Sequence, residues 1–258
     1  MRVLGPLVLA KHGISYVPKA PKPRQLLAFL MLNANQTVRA TDCIAELWGS
    51  APPKSAMSTL QTYVLHIRRR LRAADSSEYL GNAEDILLTK SQGYELIVEP
   101  SEFDRAVFEW LISKGRAAVV KGDDRAASES FRSALSLWRG PVAADVRAGP
   151  LISMHQVGLR ETRRGVLDQR IEAELRLGLH RELLGELHSL VRARRTDENA
   201  HAQFMLALHR SGRSERALRV YRGLDHRLRH KLGIEPSPQI QHLYAAIKSA
   251  DPLLTNPE

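Results

Sequence analysis

The chain has 258 residues, enough for two domains or one large one, and 43% of them are hydrophobic, enough for proper cores. Its 38 Lys and Arg outnumber its 28 Asp and Glu, a net charge of +10 that favours nucleic acid or another acidic partner. A single cysteine, Cys43, excludes an intrachain disulfide, and neither a secretory signal nor an apolar run of the ~20 residues that span a bilayer is present, so the chain reads as soluble, cytoplasmic and without a membrane partner.

In chain order, the opening MRVLGPLVLAKHGISYV has β-type runs broken by Gly5-Pro6 and His12-Gly13 and predicts a small antiparallel sheet. Pro18, Pro21 and Pro23 then punctuate the chain. A helix is predicted from Arg24 to Leu32, ended by Asn33 to Gln36, and a second short one from Thr41 to Leu47. Gly49 and Pro52-Pro53 form a loop with Trp48 at its edge. A third helix covers residues 55–72. Ile86 to Leu88 and Tyr94 to Val98 read as two strands around the turn TKSQG, a hairpin carrying Lys90 and Gly93. From Phe103 onward the sequence predicts helices only, over 103–120, 124–138, 151–177, 180–194, 199–211, 214–231 and 237–249. Two of these pair an alanine with an aromatic residue four positions later, Ala127 with Phe131 and Ala217 with Tyr221, the small-to-large packing of tetratricopeptide-type helix pairs. Ordinary helical-bundle packing would give the same spacing. The expected fold is α+β, an N-terminal winged helix-turn-helix over residues 1–100 followed by an all-α, tetratricopeptide-like domain over 101–258.

The third helix carries the chemistry. Met57, Leu60, Val64, Ile67 and Leu71 recur at three- and four-residue steps and should form one strip against a core. The opposite side bears Ser55, Ser58, Thr59, Thr62, His66 and Arg69. Between Lys54 and Arg72 stand five basic residues and no acidic one. Short polar side chains permit close approach to base edges, and arginines reach phosphates. A solvated basic face would look the same on this helix alone. The order sheet, helix, helix, helix, hairpin decides for DNA, because a winged helix sets its third helix in the major groove and its hairpin along the backbone. The expected DNA-binding residues are Ser58, Thr59, Thr62, Tyr63, His66, Arg69 and Arg70, with Lys90 on a phosphate from the wing. Residues 1–100 should suffice for binding.

Several long stretches resemble the SARP family, the Streptomyces antibiotic regulatory proteins, over nearly the whole chain. KPRQLLAFLMLNANQTV, ELWGSAPPKSAMSTLQTYVLHIRRRLR and LLTKSQGYEL are similar to its OmpR-type winged helix. FRSALSLWRGP, ETRRGVLDQRIEAELRLGLHRELLGEL, FMLALHRSGRSERALRVYRGLDHRLRHKLGIEPSP and LYAAI are similar to its bacterial transcriptional activation domain. The resemblance implies an activator of a secondary-metabolite gene cluster that binds direct repeats near promoters and helps recruit RNA polymerase holoenzyme. Two protomers would then lie head to tail on DNA. It also implies that the loop from Trp48 to Lys54 meets polymerase, with Lys54 its exposed candidate and Trp48 more a core residue. The hairpin turn KSQG departs from the proline-containing turns of many relatives, and no GxxxxGK[ST] phosphate loop is present.

Catalysis and cofactors are not expected. GxSxG is absent, and no Gly-rich cofactor loop occurs. His226 and His230 lie four apart on a helix but have no third ligand of the HExxH kind, so no metal is expected. The rival class is a helical-repeat interaction scaffold without specific DNA binding, which leaves the basic third helix and wing unexplained.

Overall fold

The structure, a computed structural model, describes residues 1–11, 13–73 and 86–251. His12 of the expected His12-Gly13 break lies outside them. By internal contacts the chain forms two compact units, residues 1–111 with 133–164, and residues 112–132 with 165–258.

In the first unit, β1 (Ala10–Lys11) pairs antiparallel with β2 (Ile14–Ser15), and Arg2 bridges Val8. Three helices come next: α1 (Pro21–Leu32), α2 (Ala40–Trp48) and α3 (Ala56–Ala73). A second sheet has the order β3 (Val38–Arg39), β5 (Gly93–Leu96), β4 (Leu87–Lys90), all antiparallel. This is the winged-helix arrangement. Helix α1 starts three residues before the expected Arg24, because proline is tolerated in the first turn, where amide donors have no helical partner anyway. It is apolar almost all round and accordingly buried, with Leu26, Leu27 and Leu30 fully enclosed. Leu60, Ile67, Leu87 and Leu96 complete that core. The hairpin strands are offset from the expected 86–88 and 94–98 because the turn tightens to Ser91-Gln92, and pairing runs from Leu87↔Leu96 to Lys90↔Gly93. Gly93 lets β5 approach β3: a Cβ there would lie 1.9 Å from the Val38 carbonyl oxygen.

Carboxylates, those of Glu46 and Asp104 buried, sew this unit across long sequence distances. Glu46, on α2, accepts from the backbone amides of Gly149 (2.7 Å), Leu151 (2.9 Å) and Ile152 (3.0 Å). These amides open the helix that starts at Pro150, so Glu46 both caps it and complements its dipole. Gln25 Nε2 donates to the Glu46 carboxylate at 2.8 Å from the other side. Glycine at 149 is required, since a Cβ there would sit 2.1 Å from the Glu46 carbonyl oxygen. Asp104 likewise accepts from the amides of Val3 and Leu4, and Asp145 from that of Leu7.

After a short 3-10 turn (Pro100–Glu102) the chain is helical: α4 (Asp104–Val120), α5 (Asp124–Ser136), α6 (Pro150–Arg176), α7 (Leu184–Ala193), α8 (Glu198–Arg210), α9 (Ser214–Arg227) and α10 (Pro238–Lys248). No strand occurs after β5 among the described residues. In the second unit, Phe131 is fully buried against Gly115, where a Cβ would fall 2.5 Å from the ring. Ala217 is enclosed, and Tyr221 stacks on Tyr244 at 4.2 Å. The two alanine–aromatic pairs therefore mark helix-to-helix packing, as read from the sequence. Leu187, Phe204, Leu208, Leu224 and Ile240 form the core of this unit. The helix expected over 214–231 changes at Leu228 into a π-helical turn (Leu228–Leu232), closed by Gly233 in the left-handed conformation (φ 66°).

Candidate nucleic-acid interface

Helix α3 has two faces, as its spacing requires. Ala56, Leu60, Val64, Ile67 and Leu71 are buried. Met57 is not: it is 46% exposed, a correction to the expected strip. It lies at the strip's edge in the first turn, where nothing covers it, and Ala56 fills the core position instead. Ser58, Thr62, His66 and Arg69 are exposed on the opposite side, with Thr59 and Arg70 half-buried on the flank. Among the described residues Arg69 and Arg70 make no ion pair or hydrogen bond, so both guanidinium groups keep their full donor capacity.

The hydroxyls are partly committed. Ser58 Oγ donates to the Ser55 carbonyl and Thr62 Oγ1 to the Ser58 carbonyl, each at 3.0 Å. Held this way, they present acceptor lone pairs and, for Thr62, a methyl group, which suits a base amino group or a thymine methyl. Tyr63 stacks on Trp48 with ring centroids 6.2 Å apart and planes inclined by 18°. Trp48 is half-buried, with the Lys22 ammonium 5.9 Å from its ring centre. The pair braces α3 against α2. Lys54 is exposed in the loop ahead of α3.

The wing is more neutral than its sequence suggests. Lys90 Nζ pairs with Glu95 at 3.3 Å, and Thr37 Oγ1 donates to the same carboxylate at 3.2 Å. A phosphate at Lys90 must compete with that carboxylate. Between wing and helices opens a cleft of about 730 Å³ lined by Arg39, Thr41, Met57, Lys90, Gln92 and Tyr94 among others. The Ala40 amide at the start of α2 donates to the Gln92 carbonyl at 2.9 Å, which holds the hairpin tip against that helix end.

Arg68 is not among the expected DNA-binding residues. Its guanidinium donates twice to the Leu87 carbonyl, at 2.9 and 2.7 Å, and to Thr89 Oγ1 at 2.8 Å. It ties α3 to the wing. In a run of three arginines, only its angular position, about 80° from the strip's centre at 100° per residue, separates it from Arg69. Arg39 and Gln92 also line the cleft without being among the expected DNA-binding residues, and so does Met57, expected in the core strip.

Cys43 is buried, and its thiol is pushed up to about 12, first by burial and then by nearby Asp42. It is a packing residue. The rings of His226 and His230 lie 4.1 Å apart, and no group of three or more potential metal ligands occurs among the described residues. None of the described helices is long and apolar enough to cross a membrane.

Residues 15–96 match the family model "Transcriptional regulatory protein, C terminal", and residues 103–248 match "Bacterial transcriptional activator domain". The chain is 46% identical over 252 residues to the regulatory protein DnrI of Streptomyces peucetius, covering 98% of this chain and 93% of that one. It is 34% identical to the regulatory protein AfsR of Streptomyces coelicolor over 253 residues, 98% of this chain but 24% of that much longer one. Among solved structures, Mycobacterium tuberculosis EmbR, determined in complex with a low-affinity phosphopeptide, superposes with a TM-score of 0.90 at 29% identity, over 97% of this chain and 65% of that one. Both family models and these relatives describe transcriptional regulators rather than enzymes.

Proposed function

The chain belongs to the SARP family of transcriptional activators, and from that membership we propose that it switches on a secondary-metabolite gene cluster by binding direct repeats near promoters and recruiting RNA polymerase holoenzyme. The observation that carries the DNA part is the exposed face of α3: Ser58, Thr62, His66 and Arg69 stand clear of the core strip, with no carboxylate among the residues of that helix. Residues 1–100 supply recognition, with Ser58, Thr59, Thr62 and His66 toward the groove and Tyr63, Arg69, Arg70 and Lys90 toward phosphates. Residues 101–258 supply contacts to polymerase and to a second protomer, and Lys54 a further polymerase contact. The setting is the cytoplasm.

One winged helix covers one short half-site, too little for genomic specificity. Two protomers on direct repeats meet heterologously, head to tail. The experiment is binding of the full chain to a promoter fragment with two repeats about one helical turn apart. Cooperative, salt-sensitive binding is expected, and inserting roughly five base pairs should abolish the cooperativity by turning the sites to opposite faces. Equal affinity for the inserted fragment would refute the head-to-tail arrangement. Failure to exceed a random-sequence duplex would refute specific DNA recognition altogether.

A further inference from the structure

The second unit holds a cationic cleft that the DNA-binding reading does not use. Helices α7, α8 and α9 enclose about 480 Å³ there. Arg192 and Arg195 line one wall and Arg216, Arg219 and Arg227 the other, over a floor that includes Phe204, Val191 and Val220. Among the described residues, Arg192, Arg195, Arg216 and Arg227 have no carboxylate partner. The acids nearby are already committed. Asp197 binds Arg194 and caps α8, Glu198 accepts from the Ser237 amide, and the largely exposed Glu215 pairs with Arg219 at 3.9 Å.

Arg227 shows how the cleft is built. Its Nε donates to the Arg195 carbonyl at 2.9 Å, and its terminal nitrogen lies 3.0 Å from His201 Nε2. His201 Nδ1 lies 2.7 Å from the Asp197 carbonyl. A backbone carbonyl only accepts, so Nδ1 carries the proton, Nε2 accepts, and the imidazole is neutral. A half-buried guanidinium is thus fixed in place without a counter-ion. Burial and the Arg195 charge lower its affinity for its proton. Arg216 lies over the Phe204 ring, 5.9 Å from its centre.

We propose that this cleft binds an extended acidic segment of a protein partner, with carboxylates on the unpaired arginines and small apolar side chains on the floor. The length of the track favours a peptide over a single small anion. Arg216 and Arg227 are eleven residues apart on α9, about 16 Å at the helical rise, the span of roughly five extended residues. Nucleic acid fits less well. A duplex cannot enter a cleft of this volume, and single strands need exposed aromatic faces to stack on. Phe204 is buried, the His188 ring is turned onto Phe204, and both nitrogens of His201 are engaged. Arginines are also the residues that grip carboxylates bidentately.

The test uses the full chain and a fluorescein-labelled twelve-residue peptide of alternating Asp and Leu, read by anisotropy at low salt. A peptide with Asn for Asp serves as reference. The variant R192E/R216E reverses two exposed charges in the cleft, and R181E/K231E makes the same change in net charge at exposed sites elsewhere in the unit. Cooperative melting and retained binding to promoter DNA show that each variant is folded. The expected result is at least tenfold weaker binding of the Asp peptide by R192E/R216E than by R181E/K231E, with little binding of the Asn peptide. Equal losses in the two variants would mean diffuse charge attraction and overturn the proposal. So would a cleft-dependent preference for inorganic pyrophosphate or for a labelled twelve-residue oligo-dT over the peptide, which would reassign the cleft to small anions or to single strands.

Discussion

The Arg68 guanidinium and the Leu87 carbonyl are joined by two hydrogen bonds, of 2.9 and 2.7 Å, so one side chain of α3 ties that helix to the first strand of the wing. Arg69, the next residue, is exposed and unpaired among the described residues. The two arginines should therefore fail differently. Arg69→Ala should weaken binding uniformly across sequences and lower the slope of log affinity against log salt by about one, the signature of one lost phosphate contact. Arg68→Ala should weaken binding with little change in slope and reduce the melting temperature. Matching slope changes in both variants would place Arg68 on a phosphate and contradict its role as a brace.

The two faces of α3 predict separable effects. Thr62→Ala or His66→Ala should erode discrimination between operator and random sequence while leaving thermal stability nearly unchanged. Leu60→Ala should cost about 2–5 kcal/mol, the range for truncating an enclosed leucine. Denaturant titration beside binding competition checks this, and comparable destabilisation by all three would mean that the faces are misassigned.

Glu46 is a third lever. Glu46→Ala removes a cap and leaves the amides of Gly149, Leu151 and Ile152 without that acceptor. The expected loss is about 2–4 kcal/mol, from the cap together with the exposed donors. Glu46→Gln keeps a carbonyl oxygen and should recover part of it. If alanine and glutamine variants melt like the parent, the carboxylate is idle.

Acid should destabilise the chain through its buried imidazoles. His155 and His201 are both held below the ordinary value of 6.5, in each case chiefly by burial. The folded state then binds fewer protons than the unfolded state as pH falls. Stability is complete above 6.5 and is lost progressively below it. Melting temperature should fall from pH 7 to pH 5, and less steeply in His201→Gln. An unchanged gradient in that variant would remove His201 from the account.

Much of the fold is readable from residue order. The three helices and hairpin follow from a change of period from 3.6 to 2, and the strip Leu60, Val64, Ile67, Leu71 is buried as its spacing requires. The features that stay hidden are long-range or angular. Glu46 looks like any acid on an amphipathic helix, because its partners are about a hundred residues away. Arg68 is indistinguishable by composition from its neighbours, and only the position of the wing sets it apart. Met57 obeys the helical spacing, yet it falls at the strip's edge and its neighbour Ala56 takes the core position. The Lys90–Glu95 pair depends on hairpin register, which shifts if the turn moves by one residue.

The carboxylate tethers bear on how such regulators can be recombined. A chimera cut at residue 100, joining this recognition module to another protein's effector module, would strand Glu46 without the amides of 149–152 and the Val3 and Leu4 amides without Asp104. The graft would have to inherit matching partners at positions 104 and 149–152 of its new host. The module that can be exchanged freely is thus not the stretch, residues 15–96, that matches the first family model. Under the proposed reading of α3, rewriting its outward residues inside the intact chain is a better route to new operator specificity than swapping halves.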